Sequence, residues 1–409
     1  MIVEALRVAS RMTILATVLW QASVANAQSD GNKQTTNVIA RFAVDTIEDL
    51  MFVLLPATIQ GKSCFVALDT GSSTSVLDIS WRPVLGEPVA KGLVDTGLQG
   101  DVAVDYFRAP QISLGGLQFG GDGAEVLCQD LKPFRELAEQ MFDGIVGMNV
   151  LEEHVLRIDV DDGSVMLLKA PDVPSGTPAL PLKSVHGNPA LDVTIEGNGI
   201  ARFMLDTGSL SDDSGTLAAP LFRSLTRRRL LLPVEHASAT TLGGQHDVQA
   251  GRLQTRLSVG DLTLDASEFT EAYDNSLGLH FLSRYVVTFD FPNEVVYLEP
   301  LRRMARTLSI AASGIDLIRS RGQYRVTGVR RGGIAQMRGF REGDILESIN
   351  GIEASSLRIC ALRLVLSPHR SDPLRIVLRR DKRMLRLTWR FVQEGARCRP
   401  ATRQCRSRR

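Results

Sequence analysis

The chain has 409 residues, 44% of them hydrophobic and 23% charged, with a net charge of +1. This length is enough for two or three domains, and the composition excludes a globally disordered protein. The charge is uneven, since residues 301–409 carry 26 basic and 8 acidic side chains. A basic end could contact anionic membrane, nucleic acid or polysaccharide, but we favour a solvated Arg-rich surface and expect no nucleic-acid partner.

Residues 1–27 have the layout of a secretory signal peptide. Arg7 and Arg11 precede the apolar run MTILATVLW, and Ala25 and Ala27 are the small residues of a cleavage site. We expect cleavage after Ala27 and a periplasmic or secreted mature protein. The alternative is an uncleaved anchor. The apolar run is short for a bilayer, and no later stretch reaches about 18 apolar residues, so we expect no stable membrane span after cleavage.

The cysteines and histidines give no metal-binding pattern. The five cysteines lack Cys-x-x-Cys and zinc-type spacings, and the six histidines form no pair at helical spacing. We therefore expect no metal and no cofactor. An exported protein can retain disulfides. Cys398–Cys405 in the tail and Cys64–Cys128 in the first domain are candidate pairs, although the sequence does not fix their connectivity.

Two segments follow the same pattern around an acidic turn. ATIQGKSCFVALDTGSS begins at Ala57, and VTIEGNGIARFMLDTGSL begins at Val193. Each predicts a β-hairpin: an alternating strand, a Gly turn, and a hydrophobic strand that ends at Asp-Thr-Gly. Asp69 and Asp206 therefore occupy matching positions, which suggests a pair of acids that meet.

A second pair of matching segments follows. FDGIVGMNVLEEHVLRIDVDDGSVMLL (142–168) aligns with DNSLGLHFLSRYVVTFDFPNEVVYL (274–298), and both end in a predicted hairpin. Internal repeats of this length indicate two copies of one fold. The Pro-rich segment 169–181 is the natural linker between them.

Gly-rich hairpin candidates lie inside each copy, at 93–107 and 240–253. The first of them contains a third Asp-Thr-Gly, which begins at Asp95. This third motif has no glycine segment of its own and falls inside the predicted hairpin. We therefore interpret Asp95 as a turn residue rather than a catalytic acid.

The pattern changes from about residue 301. YRVTGVRRGGIAQMRGFREGDILESINGIEA (324–354) predicts a strand, a small helix, a Gly-Asp turn and a second strand. LRIVLRR and RMLRLTWRF then predict a hairpin around Asp381. Together these elements predict a compact α/β module, followed by a loose basic tail.

The duplicated Asp-Thr-Gly-Ser resembles the aspartic proteases of the pepsin/retropepsin clan. A lobe in that family has this motif, then a flap hairpin and a hydrophobic-hydrophobic-Gly segment. The short lobes are most similar to bacterial retropepsin-like domains in tandem, and 305–393 resembles a bacterial PDZ domain through REGDILESING. The hydrophobic-Gly segments here are Ile145, Val146 and Gly147 in the first copy, and Leu277 and Gly278 in the second.

The resemblance implies a mainly β fold: two tandem retropepsin-like β lobes forming a pseudo-two-fold acid protease fold, plus a C-terminal PDZ-like α/β module. The implied domains are a signal peptide (1–27), protease lobe 1 (28–168), protease lobe 2 (169–300), a PDZ-like domain (301–395) and a basic tail (396–409).

The implied activity is that of an aspartic endopeptidase, with water activated between Asp69 and Asp206. Two adjacent carboxyls share one proton because like charges so close cannot both ionise cheaply, so one acts as base and one as acid. In the family, the threonines form hydrogen bonds across the two lobes, and the serines form hydrogen bonds to the carboxylates. The glycines allow a tight turn behind each carboxylate. These supporting residues are Thr70, Gly71, Ser72, Thr207, Gly208 and Ser209.

The implied partners are peptides. A polypeptide substrate would lie extended in the cleft, and a peptide C-terminus is the candidate ligand of the PDZ-like domain. The candidate groove residues in SGIDLI (313–318) are Gly314, Ile315 and Leu317. The alternative for this domain is a docking module that binds nothing.

Two features depart from the family pattern. Ser276 occupies a position where an apolar residue is expected. Asp212 and Asp213 follow the second turn and would disturb the pair if they pointed inward, although we expect them in a solvent-facing loop. Three alternatives stay open: acids that only cap turns in an inactive β domain, a non-catalytic periplasmic peptide-binding or scaffold protein, and an enzyme whose lobes pair between chains.

Overall fold

The computed structural model of the chain is mainly β, which confirms the predicted class. It describes residues 37–43, 52–95, 101–121, 123–209, 214–241, 244–264, 268–301, 314–320, 322–329, 334–357, 359–366 and 373–389. The predicted signal peptide, Asp212, Asp213, the basic tail and the candidate pair Cys398–Cys405 lie outside the described residues. Within those ranges, every helix is too short or too polar to cross a membrane.

After β1 (Val38–Ala43), which joins another sheet, the chain forms a nine-stranded sheet that we call the N-terminal sheet. Its strands are β2 (Leu54–Ile59), β3 (Lys62–Leu68), β4 (Val76–Asp78), β5 (Ala90–Asp95), β6 (Asp101–Arg108), β7 (Ile112–Leu114), β8 (Leu117–Phe119), β9 (Glu125–Gln129) and β10 (Gly144–Val146). Their order in the sheet is β5-β6-β9-β4-β10-β3-β2-β7-β8. Three short helices flank the sheet: α1 (Arg82–Leu85), α2 (Lys132–Ala138) and α3 (Met148–Leu151).

The predicted Gly turn between β2 and β3 is present. Ile59 pairs with Lys62, so Gln60 and Gly61 are the two turn residues, with φ of 50° and 76°. Positive φ at both positions is the geometry of a type I′ turn, whose twist matches that of the flanking strands. The turn therefore fixes the register of β3, the strand that leads to Asp69.

A second large sheet, the central sheet, follows in the chain. Its main strand order is β18-β19-β22-β17-β23-β16-β15-β20-β21, with β14 paired to β15. The strands are β14 (Lys183–Val185), β15 (Asn188–Ile195), β16 (Gly199–Asp206), β17 (Gly215–Ala218), β18 (Leu231–Thr241), β19 (Gly244–Leu253), β20 (Leu257–Val259), β21 (Leu262–Leu264), β22 (Glu268–Ala272) and β23 (Ser276–Gly278). Its helices are α4 (Ala219–Arg227) and α5 (Leu279–Leu282).

The two large sheets share their pairing scheme. β10 runs parallel to β3 and antiparallel to β4, as β23 runs parallel to β16 and antiparallel to β17. The parallel pair β4 and β9 likewise corresponds to β17 and β22. Asp69 and Asp206 thus stand at the ends of equivalent strands.

A six-stranded bridging sheet combines strands from both halves, in the order β1-β12-β11-β24-β25-β13. Its remaining strands are β11 (Val155–Asp159), β12 (Ser164–Leu168), β13 (Ala179–Pro181), β24 (Tyr285–Asp290) and β25 (Val295–Pro300). Across the β11–β24 junction, Arg157 donates from Nη1 to Thr288 Oγ1 (3.2 Å) and to Glu299 Oε1 (2.7 Å). One hydrophobic core cluster underlies all three sheets, joining residues such as Leu68, Leu205 and Leu298.

The C-terminal sheet has the order β26-β27-β28-β30-β31, with β29 paired to β28. Its elements are β26 (Ile315–Ser320), β27 (Gln323–Val329), α6 (Ile334–Met337), β28 (Ile345–Ile349), β29 (Ile352–Glu353), α7 (Ile359–Leu366), β30 (Leu374–Arg380) and β31 (Arg383–Trp389). The buried Asp344 of the predicted Gly-Asp turn accepts from Arg380 Nε (2.7 Å) and from Arg341 N (2.9 Å). These bonds hold the turn to the end of the predicted hairpin.

The C-terminal sheet packs on the N-terminal sheet. A second hydrophobic core cluster contains Leu131 and Phe142 on one side, and Tyr324 and Leu362 on the other. All four side chains are almost completely buried. The two sheets therefore share a core rather than only a connecting segment.

The candidate Cys64–Cys128 disulfide is wrong for this structure, because both cysteines are free thiols. Cys64 lies on β3 and Cys128 on β9, and two strands separate them in the sheet. Three strand spacings put their backbones about 14 Å apart along the sheet, whereas a disulfide needs Cα atoms within about 7 Å. Each Sγ instead faces a backbone carbonyl, that of Ala57 or Asp78.

Candidate active site

The site begins where β3 and β16 end. Asp69 directly follows β3, and its N–H donates to Val146 O (3.0 Å) on the parallel neighbour β10. Asp206 is the last residue of β16, where it pairs with Gly278. Each carboxyl is therefore held by a strand that is hydrogen-bonded to a hydrophobic-Gly segment.

The threonines after the two acids hold the sheets together. Thr70 N donates to Thr207 Oγ1 (2.9 Å), and Thr207 N donates to Thr70 Oγ1 (3.1 Å). Each hydroxyl then donates to the opposite strand, to Leu205 O (2.7 Å) or to Leu68 O (3.3 Å). Both threonines are fully buried, so these four hydrogen bonds fix the two acidic turns against each other without competition from water.

The two carboxyls lie side by side, each against the other turn's glycine. A Cβ atom on Gly71 would overlap the Asp206 carboxyl, and one on Gly208 would overlap the Asp69 carboxyl. Neither glycine has a positive φ. Glycine is therefore required for this close approach, and not for the tight turn that the family resemblance implies.

Backbone donors surround both carboxyls. Gly71 N donates to Asp69 Oδ1 (2.8 Å), whereas Ser72 N donates to the backbone carbonyl oxygen of Asp69 (3.4 Å). Gly208 N and Ser209 N donate to Asp206 Oδ1, at 2.9 and 3.0 Å. The serine that bonds a carboxylate is therefore Ser209, through its N–H, whereas the Ser72 hydroxyl, which the family resemblance places on the carboxylate, donates to Thr74 O (2.8 Å).

The electrostatics favour one shared proton. Burial raises the pKa of Asp69, and the neighbouring Asp206 charge raises it further, while the backbone donors oppose both effects. Burial also raises the pKa of Asp206, against its own backbone donors. Each carboxyl lies against the glycine of the opposite turn, which brings the two acids together. Two buried acids side by side can share one proton and so present one acid and one base to a substrate.

The hydrophobic-Gly segments lie directly behind the acidic loops. Gly147 N donates to Ser75 Oγ (3.0 Å), and Gly278 N donates to Ser214 O (2.9 Å). The next residues bind the loops too, since Met148 N donates to Ser72 O (2.8 Å). The segment residues Ile145, Val146, Gly147, Leu277 and Gly278 are all buried.

Ser276, which departs from the family pattern, is buried and hydrogen-bonded. Its Oγ lies 2.9 Å from Thr216 Oγ1 on the adjacent strand β17. Thr216 Oγ1 also lies 2.7 Å from Asp274 O, to which it donates. A polar neighbour therefore replaces the apolar contact that the family pattern would place there.

Two asparagines at the site had no sequence signal. Asn149 Oδ1 accepts from Ser75 N (2.9 Å) and Ser75 Oγ (2.8 Å), which ties the loop after Asp69 to α3. Asn188 Nδ2 donates to Gly71 O (2.9 Å) from the central sheet. Asn149 lies two residues after Gly147 and Asn188 directly follows Gly187, but only the folded chain brings each asparagine to the acidic turn.

The predicted hairpins and the third Asp-Thr-Gly occupy the far ends of the sheets. β5 pairs with β6, and β18 pairs with β19. Asp95 is the last residue of β5 and pairs with Asp101. β5 is an edge strand five positions from β3 in the N-terminal sheet, so Asp95 belongs to a different part of the sheet from Asp69.

The candidate groove residues lie on the edge of the C-terminal sheet. Gly314 has a φ of 66° and precedes β26, on which Ile315 is half-buried and Leu317 is buried. Among the described strands β26 pairs with β27 alone, and both α7 and α2 lie beside it. Among the residues with described positions, no cluster of three or more His, Cys, Asp or Glu could hold a metal ion.

Comparison with known proteins agrees with this geometry for the first half of the site. Residues 55–150 match the aspartyl protease family model. The matched segment contains Asp69 and Gly147 and covers nearly all of the N-terminal sheet. The chain matches no curated protein. The family match suggests a proteolytic function for this domain, and a protease would bind a polypeptide substrate.

Proposed function

We propose that the protein is an exported aspartic-type endopeptidase in which Asp69 and Asp206 form one active site within a single chain. The observation that carries the proposal is the contact of each carboxyl with the opposite turn's glycine, Gly71 or Gly208. Turn-capping acids in an inactive domain have no reason to bury two carboxyls against each other, because burial and repulsion disfavour the charged forms.

The second lobe of this proposal is 169–300, and lobe 1 is 28–168. Support comes from the shared strand order of the N-terminal and central sheets, and from their equal contributions of Asp, Thr and Gly to the site. Both features are those of a pseudo-two-fold acid protease fold. Because both halves of the site lie in one chain, the proposed enzyme needs no partner chain to complete its catalytic pair.

The proposed chemistry uses one water molecule and one shared proton. The ionised carboxyl takes a proton from the water as its oxygen attacks the scissile carbonyl carbon. The protonated carboxyl gives its proton to the carbonyl oxygen, which yields a tetrahedral gem-diol. The first carboxyl then passes its proton to the amide nitrogen, and the C–N bond breaks. One hydroxyl proton of the gem-diol returns to the second carboxyl, which restores the shared proton of the pair. The N–H groups of Gly71, Gly208 and Ser209 hold the carboxyls in place throughout.

The proposed substrate is an extended polypeptide. The hairpins β5–β6 and β18–β19 are the proposed flaps, and their strands could pair with the substrate backbone as added strands do. On the β5–β6 hairpin, Leu93 and Val102 are exposed apolar side chains near the tip. They are suited to contact apolar substrate side chains.

For the C-terminal sheet we propose a PDZ-like domain (301–395) that takes a peptide C-terminus for recognition or regulation. Its support is the position of β26 at the edge of the described C-terminal sheet with α7 beside it, since strand addition takes place at a sheet edge. Export to the periplasm or outside the cell is proposed from the signal-peptide pattern of residues 1–27, with cleavage after Ala27.

The test is cleavage of casein by the purified mature chain from pH 3 to 7.5. Asp69→Asn and Asp206→Asn are each expected to lower the rate by at least about a hundredfold, since each removes a proton-transfer group. Asp192→Asn is the matched control, because it alters an exposed aspartate outside the site and the proposed flaps, and it is expected to retain activity. Full activity in Asp206→Asn would exclude the two-acid mechanism.

A folded wild type that cleaves no protein and no member of a peptide library at any pH would contradict the proposed activity. Peptide binding by that inactive protein would then favour the alternative, a non-catalytic periplasmic peptide-binding or scaffold protein. Pepstatin, included in parallel, would report only on inhibitor fit and not on the catalytic pair.

A further inference from the structure

Asn188 reaches from the central sheet to the loop that carries Asp69. It is the first residue of β15 and is only 6% exposed. Its Nδ2 donates to Gly71 O at 2.9 Å, across 117 positions of the chain. This hydrogen bond is a contact between the two halves of the site besides those of the paired threonines.

A tight turn holds Asn188 in this position. Val185 pairs with Asn188, so His186 and Gly187 are the two residues of the β14–β15 turn, with φ of 53° and 86°. The position of a Cβ on Gly187 lies 3.8 Å from the Ser73 Cβ, so the turn packs against the acidic loop. The turn therefore delivers the Asn188 amide to one defined place.

The orientation of the amide favours donation over acceptance. Nδ2 faces two acceptors, Gly71 O and, at 3.4 Å, Met204 Sδ. Oδ1 is buried and has no hydrogen-bond partner among the described residues. A buried amide oxygen without a hydrogen-bond donor destabilises the fold. Stability alone therefore does not explain an asparagine at position 188, which points to another role.

The hydrogen bond acts on Asp69 through one residue, Gly71. The Gly71 carbonyl accepts from Asn188, and the Gly71 N–H donates to Asp69 Oδ1 at 2.8 Å. Because Asn188 fixes the carbonyl side of Gly71, it also fixes the position from which the N–H meets the carboxylate. Support for a negative charge on Asp69 thus comes from the opposite half of the site.

Resting on the proposed function, we propose that Asn188 is a positioning residue that fixes Gly71, whose N–H donates to Asp69, and so stabilises the ionised form of Asp69. The charged group that faces Asp69 is Asp206, at the end of β16. Near Asn188, His186 Nε2 lies 3.3 Å from Asp274 Oδ2. Substitution of Asn188 by an uncharged residue leaves all these charges in place, so a change in titration reports the lost hydrogen bond.

The experiment is a carbon-13 NMR titration of full-length mature protein labelled at aspartate carboxyls. The Asp69 and Asp206 signals are assigned from Asp69→Asn and Asp206→Asn. In Asn188→Leu, the pair is expected to hold its shared proton about twofold to fourfold more tightly, because the Gly71 N–H is held less firmly against the ionised Asp69 carboxyl. Asn188→Ala is expected to give the same shift and serves if the Leu variant does not fold.

Kinetics provide the second readout. We expect kcat for a peptide substrate to fall about tenfold in Asn188→Leu with KM nearly unchanged, since the carboxyl is less well oriented. The pH profile of kcat should shift in the same direction as the NMR titration. Asn198→Leu is the matched control: Asn198 accepts from Arg228 Nη1 (2.9 Å) at the far turn of β15. It should change neither readout.

An unchanged titration of the pair in folded Asn188→Leu would overturn the inference, even if activity fell. The same shift in Asn198→Leu would also overturn it, because the effect would then be general loosening of β15. A wild type that does not cleave would refute the proposed function alone, since the titration still tests the action of Asn188 on Asp69.

Discussion

Thr70 and Thr207 each accept a hydrogen bond from the other's backbone N–H, at 2.9 and 3.1 Å, although 137 positions separate them in the chain. Each hydroxyl also donates to a carbonyl of the opposite strand, that of Leu205 or Leu68. Because both side chains are fully buried, one lost hydroxyl leaves a buried N–H and a buried carbonyl without partners.

Thr207→Val should therefore destabilise the fold strongly. The shape is kept but two backbone groups lose their partners, which predicts a loss of about 2–4 kcal/mol in urea unfolding. Thr207→Ser, which keeps the hydroxyl, should recover most of this stability. Thr226→Val is the control, because the Thr226 hydroxyl only donates to Phe222 O within α4 and should change stability little. Equal losses in Thr207→Val and Thr226→Val would contradict the proposed importance of the contact.

Gly71→Ala and Gly208→Ala should abolish activity, because the added methyl group would occupy the space of the opposite carboxyl. Circular dichroism should show folded protein, with stability lowered by about 1–3 kcal/mol. Gly260→Ala is the contrast: Gly260 has a φ of 56° and open space around it, so alanine should cost about 1 kcal/mol and leave activity intact. Cleavage assays with all three variants test this, and an active Gly71→Ala enzyme would rule out the close approach.

Local patterns in the sequence predicted the local parts of the structure. The turn at Gln60 and Gly61 followed from alternation and Gly placement, as did the strand that ends before Asp69. The Cys64–Cys128 pairing was wrong because it depends on strand order, which no local pattern specifies. Asn188 was missed for the same reason, since its partner Gly71 lies in another sheet.

The pH dependence of stability should differ in sign between the acidic pair and a surface acid. Burial raises the pKa of both Asp69 and Asp206, so the folded state binds their shared proton more tightly than the unfolded state does. This contribution is fully present below the ordinary aspartate pKa and is lost as pH rises through the raised pKa. Asp206→Asn should therefore melt above wild type at neutral pH and close to it near pH 3.

Asp192→Asn provides the opposite case. The hydrogen bond from Arg202 lowers the pKa of Asp192, so its contribution is present above the ordinary aspartate pKa and is lost as pH falls. Asp192→Asn should melt slightly below wild type at neutral pH, with the difference vanishing in acid. Thermal scans from pH 3 to 8 compare the variants. A higher melting temperature for both at neutral pH would indicate general charge relief instead of the buried pair.

Glu139 should make the main polar contacts between the N-terminal and C-terminal sheets. It follows α2, and its carboxylate accepts from Tyr324 Oη (2.7 and 2.8 Å) and from Ile359 N (2.8 Å), the first residue of α7. Arg319 Nη1 lies 3.6 Å from Glu139 Oε1. A carboxylate at a helix N-terminus is favoured by the helix dipole, and this one is mostly buried.

Glu139→Ala leaves the buried Tyr324 hydroxyl and the α7 N-terminus without the carboxylate. We therefore expect the free energy with which the C-terminal sheet packs on the N-terminal sheet to weaken by about 2–4 kcal/mol. Hydrogen exchange should rise in β26 and α7 while the exchange of β3 and β16 stays slow, because the Thr70–Thr207 contact lies elsewhere. Glu136→Ala, at an exposed pair with Lys132, should change neither region. Faster exchange throughout the chain in Glu139→Ala would instead show that the C-terminal sheet and the acidic site unfold as one cooperative unit.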